Sequence, residues 1–412
     1  MSQSPASRQF DIIVWGATGF TGALVAKYLL RRYGVGADLR WAIAGRSQDK
    51  LAALRDELGP EATALEMIVA DSFDADSLQA MASQTTVVIT TVGPYALYGN
   101  ALVEVCVENG THYCDLAGEV QWIRQMIDQH QDRATETGAR IVHCCGFDSV
   151  PMDIGVWFLQ DEAKRRFGHY LSSIRMLVKA TKGSASGGTV ASLINLIEES
   201  RKDRAIARIL VDPYSLNPEG QRDGPDERDQ QGVVYDADAH SWTAPFVMAA
   251  VNTKVVRRSH ALLGYPYGTE FRYHEAVMTG DGPTGWAKGA AMTAAIGGLV
   301  VGASYSGSRK LLQKFVLPDP GEGPDPEMQQ KGFFNLVQIG VLPDGALLKS
   351  RITGDQDPGY GSTSKMLSEC AVCLAKDEIL VDGGVWTPAS AMASPLLKRL
   401  RENAGLTFEI RD

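Results

Sequence analysis

The chain has no long run of Lys and Arg, no internal repeat and no low-complexity tract. Its 412 residues carry a net charge of −9. Nucleic acid needs clustered cations on its partner, so that class of ligand is excluded. The first nine residues are polar and lack the apolar core of a secretory signal. Cysteine is sparse at six, and without such a signal these read as reduced thiols in the cytoplasm. Cys370 and Cys373 form a lone C-x-x-C on a helical stretch. A structural metal site needs a second ligand pair, and none is evident, so no metal is expected and both read as small core residues. Cys144 and Cys145 are expected on opposite faces of a strand. His112 and His143 lie on or beside strands and read as satisfied structural residues, not bases.

What is present begins with a strand, a glycine-rich turn and a helix. FDIIVW (Phe10–Trp15) is an apolar run of strand length, GATGFTG (Gly16–Gly22) follows, and ALVAKYLLRRY (Ala23–Tyr33) has helical spacing. That order aims free backbone N–H groups and a helix dipole at one point, where a pyrophosphate fits. Gly16 allows the turn, Gly19 the close approach of a ligand, and Gly22 the packing of helix on sheet. Thr18, Phe20 and Thr21 complete the cofactor loop. About 30 residues on, the second strand ends in Gly45-Arg46-Ser47. An NAD site wants an acidic residue there, to bond the ribose 2′-hydroxyl. Arg46 and Ser47 suit a 2′-phosphate instead, so the expected cofactor is NADP(H). Asp71, at the end of the third strand, is placed near the adenine. Gly93, Pro94 and Tyr95 end the fourth strand at the carboxyl edge where open α/β sheets bind ligands. Phe147 and Asp148 end the sixth.

Strands and helices alternate six times, the pattern of a doubly wound parallel sheet. The fold class is α/β: a Rossmann-type sheet plus a second α+β domain with a mixed or antiparallel sheet. The first domain is expected to span 1–155 and about 356–412, the second 156–355. Within the second, 203–240 is polar and aperiodic and reads as a lid or an irregular excursion. A charge-free segment, Gly289–Ser308, reads as a buried, closely packed helix over about 286–305, with weak hydropathy for a membrane span. FFNLVQIGVL and GALLKSRITGD read as a hairpin turned by Pro343-Asp344-Gly345. Ser362–Ile379 reads as an amphipathic helix, and a basic helix is expected to end the chain.

These residues resemble the saccharopine dehydrogenase-like oxidoreductases. The likeness rests on GATGFTG at Gly16, AGR at Ala44, VGPY at Val92, YCDLAGE at Tyr113, CGFDSVPMDIG at Cys145, SGGTVAS at Ser186 and GGVWTPASAM near the C-terminus. It is similar above all to the branch of mycobacterial trans-acting enoyl reductases that serve lipid-linked polyketide synthesis. The resemblance implies NADPH-dependent reduction of an enoyl double bond on an acyl thioester, held on a carrier domain of a polyketide synthase. It also implies that the last helices return to the nucleotide domain. A homodimer in the cytoplasm is expected, with peripheral contact at the inner face of the membrane as a further expectation.

Enoyl reduction needs a donor to polarise the thioester carbonyl and an acid to protonate the α-carbon. Tyr95 is a candidate for the donor, or else a lining aromatic. Asp148 touches the nicotinamide ribose or orients a donor, or else caps the next helix. Asp115 and Glu119 are assigned to holding the fold. Trp242, Phe246, Met248 and Leu299 are candidates for an apolar substrate wall. Two other classes stay open: a saccharopine-type amino-acid dehydrogenase, with Arg272 or Arg351 pairing a carboxylate, and a non-catalytic NADP-binding protein at a lipid surface.

Overall fold

The computed structural model describes residues 8–36, 38–183, 196, 198–304 and 326–411. They divide into two compact units. The first holds residues 8–147 and 359–405, and the second takes the remainder from Asp148, ending with 406–411. The SGGTVAS motif at Ser186 lies outside the described residues.

The first unit is built on six parallel strands in the order β6-β5-β4-β1-β2-β3. They are β1 (Phe10–Trp15), β2 (Trp41–Gly45), β3 (Glu66–Val69), β4 (Thr85–Thr90), β5 (His112–Cys114) and β6 (Arg140–Val142). All residues of β1 and β2 are buried, as their unbroken apolar runs require of strands covered on both faces. The order reverses between β1 and β4, which places a ligand crevice at their carboxyl ends. Cys144 and Cys145 lie beyond the end of β6, and Cys144 turns with φ 62°. They therefore do not alternate across a strand.

The second unit carries a mixed sheet. Its strands are β7 (Ser173–Lys182), β8 (Val234–Asp236), β9 (Ser241–Pro245), β10 (Arg272–Gly280), β11 (Phe333–Val341) and β12 (Leu347–Gly354). β10 runs parallel to β7, and every other pairing is antiparallel. β11 and β12 form the expected hairpin, with Gly345 at φ 88°. The 203–240 stretch contains a helix, Arg204–Val211, and an irregular run pinned at buried Asp226. That carboxylate accepts from Arg257 Nε at 2.7 Å and from Tyr273 N at 3.2 Å, so this part is an anchored excursion and not a loose lid.

The C-terminal region visits both sheets. Helix Thr363–Lys376 packs in the first unit, and Thr363 to Leu374 are all buried, so it is not amphipathic. Its buried Glu369 accepts from Tyr28 OH at 2.6 Å and Tyr33 OH at 2.7 Å, which ties the returning chain to helix Phe20–Tyr33. β13 (Gly384–Trp386) pairs with β6 as a seventh parallel strand. The chain ends not in a helix but in β14 (Leu406–Arg411), which pairs with β12 of the second unit. Gly405 at φ 73° stops the preceding segment, and LTFEIR then alternates with period two.

The charge-free helix differs most from its expectation. Helix Gly282–Ser304 is largely exposed, with Trp286 at 51%, Val300 at 44% and Val301 at 59%. Close packing is confined to its first turns, where a Cβ at Gly285 would meet Gly280 O at 2.1 Å and one at Gly289 would meet Val233 at 3.1 Å; at Gly297 or Gly298 it would meet nothing within 4 Å. No helix among the described residues is long and apolar enough to cross a membrane.

Candidate functional site

The glycine loop at the end of β1 is shaped by contacts that only glycine permits. Gly16 has φ 82°, and a Cβ there would stand 2.5 Å from Val92 Cγ2. A Cβ at Gly22 would stand 2.2 Å from the Gly16 carbonyl oxygen. The loop folds back on β2 through Gly16 N and Ala17 N, both donating to Ala44 O, and Gly19 N donates to Gly16 O at 3.0 Å. Gly19 is the N-cap of helix Phe20–Tyr33 and has no side chain, so the first-turn amides of Phe20, Thr21 and Gly22 receive no side-chain cap. Donors left open at a helix start form an anion site. The Phe20 ring packs edge-on against Tyr360 at 4.8 Å, which fixes the first turn.

Beside this loop is a cleft of about 330 Å³ lined by Thr18, Arg46, Ser47, Lys50 and Asp71. Four of these five residues follow from the sequence. Lys50 does not, although its position four residues after Arg46, in the first turn of helix Gln48–Leu58, was a readable signal. Ser47 caps that helix by accepting from Lys50 N at 3.3 Å. Asp71 Oδ1 accepts from Phe73 N at 2.9 Å in a tight local turn. Arg46 and Lys50 are both exposed and supply two cations to one small cleft.

The fourth strand brings Gly93 and Pro94 next to the loop, since Thr91 Oγ1 donates to Gly16 O at 3.3 Å. Tyr95 goes elsewhere. It is 6% exposed, stacks on Trp122 at 5.4 Å, donates to Thr90 O at 3.3 Å and accepts from Leu116 N at 3.1 Å. Burial, with Asp115 nearby, pushes its phenol well above the usual range. Its proton is committed to the backbone, and the lining-aromatic reading fits it better than the donor reading. Asp115 and Glu119 hold backbone as expected. Asp115 accepts from Ala117 N and Cys144 N at 3.0 Å and meets His143 Nδ1 at 2.6 Å, while Glu119 accepts from Tyr95 N and Ala96 N. His112 is a buried structural residue whose Nδ1 accepts from Arg140 N, and burial beside Arg140 pushes its pKa down to about 3.

Phe147 is buried and its N–H donates to Thr363 Oγ1 at 3.0 Å. At Asp148 the chain leaves the first unit. Burial raises the Asp148 carboxyl to about 6. It does not cap the next helix: Ser149 holds that position, with no side-chain cap bond and φ 136°, ψ −41°. A serine with that backbone is strained, and such strain gathers at functional sites. Ser149 lies inside the CGFDSVPMDIG run, but nothing local in that run signals its backbone conformation.

Residues 12–142 match the family described as Saccharopine dehydrogenase NADP binding domain. A candidate trans-acting enoyl reductase of Mycobacterium tuberculosis strain H37Rv is 40% identical over 410 residues, covering 95% of this chain and 96% of its own. Trans-acting enoyl reductases of M. tuberculosis and Mycobacterium ulcerans are each 36% identical over 409 residues, 96% of this chain and 97% of theirs. The chain belongs to the trans-acting enoyl reductase family. It is an NADP-dependent oxidoreductase, consistent with the matched NADP-binding domain. The saccharopine dehydrogenase (L-Glu forming) of Saccharomyces cerevisiae shares the fold, with a TM-score of 0.51 at 10% identity over 98% of this chain and 99% of that one.

The residues fit the cofactor on their own chemistry. The glycine cradle leaves no room for a Cβ at Gly16 or Gly22, the helix start is uncapped, and two cations share the neighbouring cleft. Among the described residues no group of three His, Cys, Asp or Glu side chains could hold a metal ion.

Proposed function

We propose that this protein reduces the double bond of an enoyl chain carried as a thioester on a carrier domain of a polyketide synthase. The observation that carries the reading is the cleft of Thr18, Arg46, Ser47, Lys50 and Asp71 beside the glycine cradle, in a family whose named members are trans-acting enoyl reductases. Gly16, Gly19, Gly22 and the amides of Phe20 and Thr21 take the pyrophosphate. Arg46, Ser47 and Lys50 take the 2′-phosphate, because a guanidinium, a hydroxyl and an ammonium match its oxygens. Thr18 and Asp71 border the adenosine, and Gly93, Pro94 and Phe147 border the nicotinamide half. NADPH supplies the hydride. Asp148 supplies the proton for the α-carbon, since a carboxyl raised to about 6 is partly protonated near neutral pH. An assay of NADPH oxidation with enoyl thioesters tests this. Steady turnover supports it; turnover only with imines or keto acids, or none at all, overturns it.

The amino-acid dehydrogenase reading is weakened by where its arginines point. Arg272 Nη1 donates to Pro225 O at 2.6 Å and Arg351 Nε to Asn335 Oδ1 at 3.0 Å, so both are used within the second unit.

The exposed apolar face of helix Gly282–Ser304 supports a second element of the reading, peripheral contact with a lipid surface. An exposed tryptophan, exposed valines and no charge beyond Lys288 suit the boundary between headgroups and acyl chains. Co-sedimentation with phosphatidylcholine vesicles, lost in Val301→Asp, supports it. A monomer–dimer shift on the same substitution, without vesicle binding, would replace it with the homodimer interface.

A further inference from the structure

Within the second unit a buried hydrogen-bonded chain ends on the strained Ser149. Ser149 is fully buried, and its Oγ donates to Asn252 Oδ1 at 3.1 Å. Asn252, also fully buried, donates from Nδ2 to Glu275 Oε2 at 3.0 Å. Tyr273 OH donates to Glu275 Oε1 at 2.8 Å. Glu275 is 2% exposed and sits in β10 between β7 and β9. An interior strand position facing a buried helix is ordinarily apolar, because burying a carboxyl is costly unless it is bonded or kept neutral. Among the described residues no cation bonds Glu275: the nearby Arg257 is spent on Asp226, Thr253 Oγ1, Pro213 O and Tyr273 O.

We propose that Glu275 is a positioning residue, which through the Asn252 amide sets whether the Ser149 hydroxyl donates or accepts, and so orders the bend that carries Asp148. This rests on the reading of Asp148 as the proton source. With Glu275 ionised, Asn252 must give it an N–H, and its oxygen then takes the Ser149 proton. With Glu275 protonated on Oε2, the two facing groups would both be donors. A half-turn of the Asn252 amide resolves this. Glu275 then donates to Oδ1, Nδ2 donates to Ser149 Oγ, and the Ser149 proton is released to another acceptor. The amide's heavy atoms keep their outline, so the fold carries both states.

The surroundings keep the protonated state accessible. Burial pushes Glu275 up to about 8, and Asp229 adds to the rise, against the donors Asn252 and Tyr273 and the positive Arg257. Those groups, with Asp153 acting on Tyr273, are charged and titratable neighbours of Glu275 among the described residues. The relay therefore changes direction near pH 8.

The test uses the full chain, as wild type, Glu275→Gln and Tyr273→Phe. First, side-chain amide resonances of 15N-asparagine-labelled protein are followed from pH 6 to 9. The Asn252 signal should titrate near pH 8 in the wild type and stay flat in Glu275→Gln. Second, the pH profile of NADPH oxidation with an enoyl thioester should lose, in Glu275→Gln, the inflection near pH 8 that Glu275 adds above the fall set by Asp148 near 6. In Tyr273→Phe that inflection should move to higher pH, because a donor to the charged form of Glu275 is gone. Thermal melts check that both variants fold. An Asn252 signal that ignores pH in the wild type, or a Glu275→Gln profile identical to it, overturns the relay. A wild type with no enoyl turnover overturns the functional reading alone, because the amide titration still decides whether the relay exists.

Discussion

Ser47 Oγ accepts from Lys50 N at 3.3 Å, so the residue that caps helix Gln48–Leu58 also holds Lys50 on the rim of the cleft that contains Arg46. The cap adds a second cation to the cleft beside Arg46, and its worth can be measured. Arg46→Ala should raise the KM for NADPH about tenfold or more, since a hydrogen bond to a charged group contributes about 1.5–3 kcal/mol. The KM for NADH should barely move. Lys50→Ala should act in the same direction but more weakly, because an ammonium is a point charge without a fork. Steady-state kinetics with both cofactors check this, and an equal effect on NADH would place Arg46 away from the 2′-phosphate.

Gly22→Ala tests the cradle. Its Cβ would meet Gly16 O at 2.2 Å and Ala17 Cα at 2.8 Å, both backbone, so neither can swing aside. The helix must lift from the loop. We expect a stability loss of about 1–3 kcal/mol in denaturant unfolding and a fall in NADPH affinity at least as large. Gly34→Ala is the matching control: it too is a glycine at a helix end, with φ 66°, but nothing lies within 4 Å of its Cβ, so any loss there should leave NADPH affinity intact.

The nucleotide unit was readable in the sequence because its signals are local. The run FDIIVW, the glycine spacing and the Arg46-Ser47 ending each report a nearby backbone demand, and the cleft gathers Thr18, Arg46, Ser47 and Asp71 as expected. What failed to show depends on partners distant in sequence. Ser149 takes its strained backbone beside Asn252, 103 residues on. Tyr95 lies at the right strand end, but Leu116 and Thr90 claim its hydroxyl. The Gly289–Ser308 segment lacks charge, which describes a core helix and an exposed apolar face equally well. Hydropathy carries no information on which side the neighbouring sheet lies.

Asp148→Asn should separate the proton source from the cofactor site. The folded carboxyl sits at about 6, above its ordinary value of 3.8, and burial is the cause. A raised acid binds its proton more tightly in the folded state, so the fold loses stability as pH climbs from about 4 through 6. The amide cannot ionise, so the variant should be more stable than the wild type by about 1–3 kcal/mol at pH 8 and equal to it near pH 4. Its kcat should nonetheless fall by about 10²–10⁴ with NADPH binding intact. Chemical unfolding at the two pH values and single-turnover kinetics check both halves. A variant that turns over normally would leave Asp148 as a half-buried carboxyl with no part in the chemistry.

Glu119 supports the site without touching it. Short helix Tyr95–Tyr98 starts at Pro94, which gives it no side-chain cap. Glu119, itself 1% exposed, reaches across to accept from Tyr95 N at 2.8 Å and Ala96 N at 3.0 Å. Glu119→Ala strips the acceptor from two donors at once, one buried and one part-buried. Each unsatisfied group costs about 1–3 kcal/mol, so the unfolding midpoint should drop sharply. Glu119→Gln leaves one acceptor oxygen and should lose about half as much. The effect should also reach the cofactor, because Val92, three residues before Tyr95, walls the pocket that holds Gly16. Weaker NADPH binding in proportion to lost stability across the two variants would show that the loop after β4 is held from the start of helix Val120–Thr137. A stability loss with NADPH affinity unchanged would show that the glycine cradle stands without it.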